Sequence, residues 1–305
     1  MGKYIIKRLM LSVVVLFGVT LVIFLLLHLT GDPIDFIAPP DASEETLQAY
    51  RVQYGLDKSL PVQFAIFVRD ALHGNFGTSY HYNQPAMQLV LERMPATITL
   101  ALVSLAVAVI WSIPAGSISA VKRNSAIDSF VRVFSMFGQS VPSFWMGVLF
   151  ILIFGVKLKW FPTFGSGTPA HLVLPVLTLA THSAASITRL MRSGMLDVLG
   201  KEFITACRAK GLSERVVISK HAFKNSLSSV VTIVGLQLAT LMGGSVVVEN
   251  VFAYPGVGRL IVQSILTRDF MVVQAGVLLI AVGFIGINFI VDLLYAVINP
   301  RIRYE

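Results

Sequence analysis

LMLSVVVLFGVTLVIFLLLHL, residues 9–29, carries no charged side chain along its whole length. A helix needs about 20 apolar residues to cross the roughly 30 Å hydrocarbon layer of a bilayer, and this stretch supplies them without interruption. Lys3, Lys7 and Arg8 stand before it. The same arrangement opens a secretory signal, but a signal's apolar core runs to about 7–15 residues and ends at a small-residue cleavage site. This run is longer and no such site follows it, so it is expected to persist as a first span.

Five more charge-free runs repeat the pattern: Ala96–Val121, Val133–Val156, Leu172–Thr188, Leu227–Val248 and Met271–Val291. Composition agrees, with 55% apolar and 13% charged residues against roughly 25% charged in soluble domains. The expected fold is an all-α membrane protein of six transmembrane helices. The net charge of +8 does not point to nucleic acid, because the basic residues flank the apolar runs instead of forming one patch. Cys207 is the single cysteine, which excludes an internal disulfide framework and a multi-cysteine metal site.

Basic residues mark the cytoplasmic ends of spans. Lys3, Lys7 and Arg8 place the N-terminus inside, and alternation puts Lys122, Arg123, Arg132, the stretch from Arg189 to Lys224, and Arg301 with Arg303 on the same side. Sixteen of the 24 lysines and arginines then lie inside. Asp32, Asp35, Asp41, Glu44, Glu45, Asp57, Asp70 and Glu92 fall in the first outer region. Both termini are expected in the cytoplasm. The expected domains are an N-terminal tail with the first helix (1–29), an outer segment (30–94), and a transmembrane domain (95–305) containing a cytoplasmic loop at 189–226.

In the outer segment, Ser43 is positioned to cap a helix whose first turn holds Glu44 and Glu45 and which stops near Gly55. Residues after Pro61 suit an amphipathic helix, and GNFGTSY (Gly74–Tyr80) reads as a turn-rich loop. The segment is expected to cap the bundle or to dock an outer partner. In the inner loop, Leu196, Leu199, Phe203 and Cys207 recur at helical spacing. Gly211 stands where a helix C-terminus calls for a left-handed residue. Ser213 and Glu214 can then open a second helix that continues through Val217, Lys220 and Lys224 to Leu227. This helix–glycine–helix bend has the look of a knob shaped for another protein.

Pro114, Gly116, Pro142, Pro175, Gly243 and Gly244 interrupt the apolar runs. A bundle tolerates such residues because neighbouring helices satisfy the backbone, and small residues also permit close packing. Pro142, Gly243, Gly244 and Glu249 are the candidate pathway or gate residues, with ordinary packing as the alternative for each. No G-x-x-x-x-G-K-[ST] loop is present to hold ATP, and no serine-triad or zinc-protease signature appears. His28, His73, His81, His171, His182 and His221 lack metal-ligand spacing. His182 lies in a span, where a buried packing role is expected over contact with a substrate or metal. Asp292 lies within an apolar run near its inner end, thin support for an ion-coupled carrier acting alone. A scaffold without transport is the other reading to exclude.

The segment TACRAKGLSERVVISKHAFKNS (Thr205–Ser226) resembles the cytoplasmic coupling loop of ATP-binding-cassette importer permeases. YGLDKSLPVQF (Tyr54–Phe64), GNFGTSY, GGSVVVENVFAYPGVGRL (Gly243–Leu260), RDF (Arg268–Phe270), VDLLYAVINPRIRY (Val291–Tyr304) and GDP (Gly31–Pro33) narrow the resemblance to the dipeptide/oligopeptide/nickel permease family. The resemblance implies a type I importer fold, a homologous second permease, two ATPase subunits that bind the ATP and magnesium, and an outer solute-binding protein. No cofactor or metal is expected in this chain, and it is not expected to be an enzyme. Thr205, Ala206 and Cys207 match the loop's Glu-Ala-Ala positions, Arg208, Ala209 and Lys210 its basic run, Gly211 its glycine, followed by Leu212. Cys207 departs from the usual alanine, and Ser228–Ser229 from the usual apolar residue and proline, which implies a less kinked fifth span. The implied cargo is a di- or oligopeptide, with a nickel or metal chelate and glutathione as alternatives.

Overall fold

The computed structural model describes residues 2–30, 34, 42–53 and 55–298. Gly31–Pro33, Asp35, Asp41, Tyr54, Arg301 and Arg303 lie outside the described residues. The chain divides into two compact units, Met1–Thr97 with Pro255–Ile285, and Ile98–Tyr254 with Gly286–Glu305.

The first unit opens with α1 (Gly2–Thr30), followed by α2 (Glu44–Gln53) and α3 (Leu60–Leu72). Ser43 Oγ accepts from the Thr46 amide at 3.3 Å, and Glu44 and Glu45 occupy the first turn of α2, as expected. Beyond α2, Gly55 has φ +69°, and the Leu56 amide returns to the Arg51 carbonyl at 2.8 Å. The left-handed glycine closes the helix by satisfying its last carbonyls. Gln63 Nε2 then bonds the Leu56 and Lys58 carbonyls at 3.2 and 2.8 Å, fixing how α3 starts. An aromatic ladder carries α3 onto α1: Phe64 meets Phe17 and Phe24 at centroid distances of 5.5 and 5.3 Å, and Phe67 stacks on Phe24 at 6.0 Å. Elsewhere α1 is bare, with only 17% of its most apolar window buried. Exposed valines at that density would drive aggregation in water, while in lipid they are in their own solvent.

The start of α4 (Ala86–Val121), α11 (Val257–Leu266) and the start of α12 (Phe270–Ile298) complete this unit. Their core gathers Leu89, Val90, Val257, Ile261 and Val272 around Phe76 and Ile23. GNFGTSY is the turn expected, with Gly74 at φ +72° and Gly77 at φ +78°. It is also an anchor. Ser79 Oγ donates to the buried Asp269 carboxylate, which stands just before α12 and accepts from the Val272 and His81 amides at 3.5 and 3.4 Å. Two motifs 190 residues apart in sequence thus meet.

The second unit holds the rest of α4, then α5 (Ala126–Ser140), α6 (Ser143–Phe150, continuing in π geometry over Ile151–Lys157) and α7 (Ala170–Leu199). After α7 come α8 (Glu202–Ala209) and α9 (Glu214–Val216), a π segment (Val217–Ala222) and α10 (Phe223–Val251). Glycine sets the closest crossing: a Cβ on Gly116 would lie 2.7 Å from the Thr188 carbonyl oxygen and 2.8 Å from Met191 Cβ. Gly138 on α5 similarly faces Thr181 of α7, at 3.2 Å.

Among the described residues, five helices are long and apolar enough to cross a membrane, or six if α5 and α6 count as one broken span. The third run is broken where Pro142 interrupts it: α5 and α6 meet at 107°. Proline explains the corner. Val141 is extended, at φ −85° and ψ 126°, the conformation that a following proline imposes, and Pro142 opens α6 without an amide to donate. The second and fourth helices also overrun their apolar runs, since α4 begins at Ala86 and α7 reaches Leu199. Residues 189–199, assigned to a loop from composition, are the last turns of α7. The helix α10 continues through Ser228 and Ser229, as the missing proline implied.

Candidate functional site

The helix–glycine–helix bend is built as its residues demand. The helix α8 carries Thr205, Ala206, Cys207, Arg208 and Ala209, and Lys210 caps it. At Gly211 the backbone turns left-handed, with φ +76°. The Gly211 amide reaches the Arg208 carbonyl at 2.9 Å and the Leu212 amide the Cys207 carbonyl at 3.4 Å, closing α8 as a Schellman-type end. Nothing lies within 4 Å of a Cβ built on Gly211, so backbone conformation alone calls for glycine here.

Across the bend, Arg208 grips Glu214 through two bonds, Nε to Oε2 at 3.0 Å and the terminal nitrogen to Oε1 at 2.7 Å. The guanidinium holds the Glu214 carboxyl below the usual carboxylate range. The fork thereby clips the end of α8 to the start of α9. Two expectations change. Ser213 occupies the N-cap position, yet its side chain makes no capping bond; the Val216 and Val217 amides bond its backbone carbonyl instead, at 2.9 and 3.0 Å. The face Leu196–Leu199–Phe203–Cys207 is not continuous, because α7 ends at Gly200 and Lys201 is extended before α8 begins. Ile204, one residue after Phe203, is the buried anchor of α8. Phe203, Leu212 and Val216 on this bend are exposed, as are Lys210 and Arg215.

A second cluster had no part in the sequence reading. Asp128 is fully buried, and Arg192 of α7 grips it twice, at 2.7 and 2.9 Å. Ser119 Oγ of α4 donates at 2.6 Å and the Asn124 amide at 3.0 Å. One carboxylate thus ties the α4–α5 corner to the end of α7. Its signal was present in SAID (Ser125–Asp128), a serine three residues before an acid at a helix start; the Asp128 amide does bond Ser125 Oγ at 3.3 Å.

The candidate gate residues occupy different kinds of place. Pro142 stands at the 107° corner. Gly243 and Gly244 lie on the exposed face of an unbroken α10. Glu249 is buried near the end of α10, and with burial its charge raises the titration of Tyr254. His182 is exposed, against the buried role expected. Among the described residues no group of three or more His, Cys, Asp or Glu could hold a metal ion.

Residues 112–304 match the family described as binding-protein-dependent transport system inner membrane component, and residues 1–101 its N-terminal membrane-component family. The chain is 42% identical over 306 residues to the glutathione transport system permease protein GsiC of Escherichia coli (strain K12), covering 100% of both chains. The same protein of Shigella dysenteriae serotype 1 gives the same figures. Among solved structures, the inward-facing MetNI methionine ABC transporter is similar in fold, with TM-score 0.61 at 20% identity over 70% of this chain and 97% of that one. An amino acid ABC transporter solved with histidines follows, at TM-score 0.54 and 15% identity over 68% and 93%.

Proposed function

The chain belongs to the binding-protein-dependent family of inner-membrane transport components, and from that premise we propose that it imports short peptides, glutathione foremost. It is a multi-pass protein of the bacterial inner membrane and a permease subunit of an ATP-binding-cassette importer. The observation that supports glutathione is the end-to-end 42% identity with a permease of that name. Glutathione is itself a tripeptide, so the wider expectation of di- and oligopeptides narrows to one member of its class.

In this reading a second permease completes the pathway, two ATPase subunits bind ATP and magnesium, and a solute-binding protein delivers cargo from outside. The bend at Thr205–Leu212 faces the cytoplasm and seats in a groove of an ATPase. Phe203, Leu212 and Val216 supply apolar contact, while the Arg208–Glu214 clip keeps the bend stiff enough to transmit force. Closure of the ATPases on ATP would push α8, and the push would pass through Gly200–Lys201 into α7. Uptake of labelled glutathione, a dipeptide and a nickel chelate, compared in cells with and without the gene, tests the cargo. Loss of glutathione uptake supports the reading; unchanged glutathione and dipeptide uptake with loss of nickel would sink it.

A further inference from the structure

The helix α7 crosses the apolar zone with an exposed face that is not apolar. His182, Ser186 and Arg189 follow one another at i, i+4 and i+7, which is one side of a helix. His182 and Arg189 are exposed and Ser186 is half-buried. Gln139 of α5 joins them: its Oε1 accepts from Arg189 at 2.7 Å and its Nε2 donates to Ser186 Oγ at 3.3 Å. The two helices are held at this level by Gly138, whose close approach to Thr181 of α7 sets their spacing.

Arg189 and Arg192 make a contrast three residues apart. Arg192 is satisfied inside the unit by Asp128. Arg189 has only a neutral amide, and among the described residues no carboxylate pairs with it. A guanidinium carries five N–H donors in a planar fork, and one is used here. His182 and Ser186 lie within the apolar run Leu172–Thr188 and Arg189 stands at its inner end, and ionisable side chains within spans turn away from hydrocarbon, toward a bundle interior or a water-filled cavity. The contrast with the bare valines of α1 makes this face of α7 unsuited to lipid.

We propose that His182, Ser186, Arg189 and Gln139 line the water-filled translocation path, and that Arg189, oriented by Gln139, is a station for the C-terminal (glycyl) carboxylate of the cargo. The occupant is a peptide carboxylate because the face offers a cation with an unused fork and several neutral hydrogen-bonding groups, and no acid to repel an anion. The carboxylate assignment rests on the peptide reading above; the path assignment does not.

The experiment uses the complete transporter in liposomes, with the labelling of the wild-type transporter, which carries Cys207, subtracted as background. Ser186→Cys is expected to react with a membrane-impermeant thiol reagent, and S-methylglutathione, which has no thiol to consume the reagent, is expected to slow that reaction when presented with the binding protein. Arg189→Gln is expected to raise the half-saturating glutathione concentration by about tenfold, as loss of one charge-assisted contact does. The glycyl monoethyl ester of glutathione, which lacks that carboxylate, should be less affected, and Arg189→Lys should fall between. Ser186→Cys that reacts only with a lipid-soluble reagent would overturn the path assignment. An equal effect of Arg189→Gln on glutathione and its ester would overturn the carboxylate station. If wild-type transporter moved neither compound, the peptide reading would fail, while the thiol arm would still decide the path.

Discussion

Gly116 provides the sharpest test of the packing. An alanine there places Cβ 2.7 Å from the Thr188 carbonyl oxygen and 2.8 Å from Met191 Cβ, where carbon atoms prefer about 3.5–4.0 Å. Rotating Met191 cannot relieve the contact, because Cβ moves only with its backbone and the oxygen is backbone too. The helices must part by several tenths of an ångström, and overpacking of this kind costs about 1–3 kcal/mol. Against it stands the gain from replacing glycine by alanine inside a helix, about 1 kcal/mol. The net is a loss of up to about 2 kcal/mol for Gly116→Ala. Gly243 is the control: it also lies in a helix, nothing is within 4 Å of its added Cβ, and Gly243→Ala should keep the full gain of about 1 kcal/mol. Thermal unfolding in detergent, at one scan rate because such unfolding is kinetically controlled, should rank Gly243→Ala above wild type and wild type above Gly116→Ala. Equal midpoints for the two variants would refute the crossing as described.

At Gly211, with φ +76°, Gly211→Val should cost of order 1 kcal/mol or more in backbone strain and uncouple ATP hydrolysis from uptake without preventing insertion; normal coupling would count against the bend. Arg192→Met should leave the buried Asp128 carboxylate with only the exposed, more distant Arg132 at 3.7 Å as a cation partner, at a cost of up to about 3–5 kcal/mol, read as a fall in the yield of monodisperse protein; an undiminished yield would show that the pair contributes little. For Glu214, whose carboxyl is held low by Arg208, the clip contributes order above the ordinary carboxylate range and loses it as pH falls through the depressed folded value. Amide protection across 205–216, taken relative to the intrinsic exchange rate at each pH, should therefore fall on acidification, and Arg208→Ala should abolish that pH dependence; protection indifferent to both would disprove the clip.

How much of this was legible in residues alone follows from the range of each interaction. The spans were legible because hydrocarbon thickness imposes length and composition on each helix separately. Gly211 was legible because a left-handed residue answers to its immediate neighbours, and Ser43 likewise caps an adjacent turn. Pro142 marked the third run as interrupted, but apolar composition cannot see direction, so the 107° corner itself, set by Pro142 acting on Val141, was not legible. The face running from Leu196 to Cys207 was misread because periodicity passes unbroken over the stop at Gly200. Ser79–Asp269 and Asp128–Arg192 were out of reach, since each joins residues that only the folded chain brings together. Ser213 shows a local rule met by another atom: a capping serine stands in place, but its backbone carbonyl takes the Val216 and Val217 amides.

The sparse attachment of α1 bears on how the protein is made. Its Ile23 belongs to a core whose other members include Val257 and Val272, which leave the ribosome roughly ten seconds or more later at about 5–20 residues per second. During that interval α1 must persist in the bilayer as a lone helix. A mean hydropathy of 3.0 across its span allows it to do so. Phe64 and Phe67 arrive soon after it, so α1 and α3 can pair early and wait together for the C-terminal helices that complete their core.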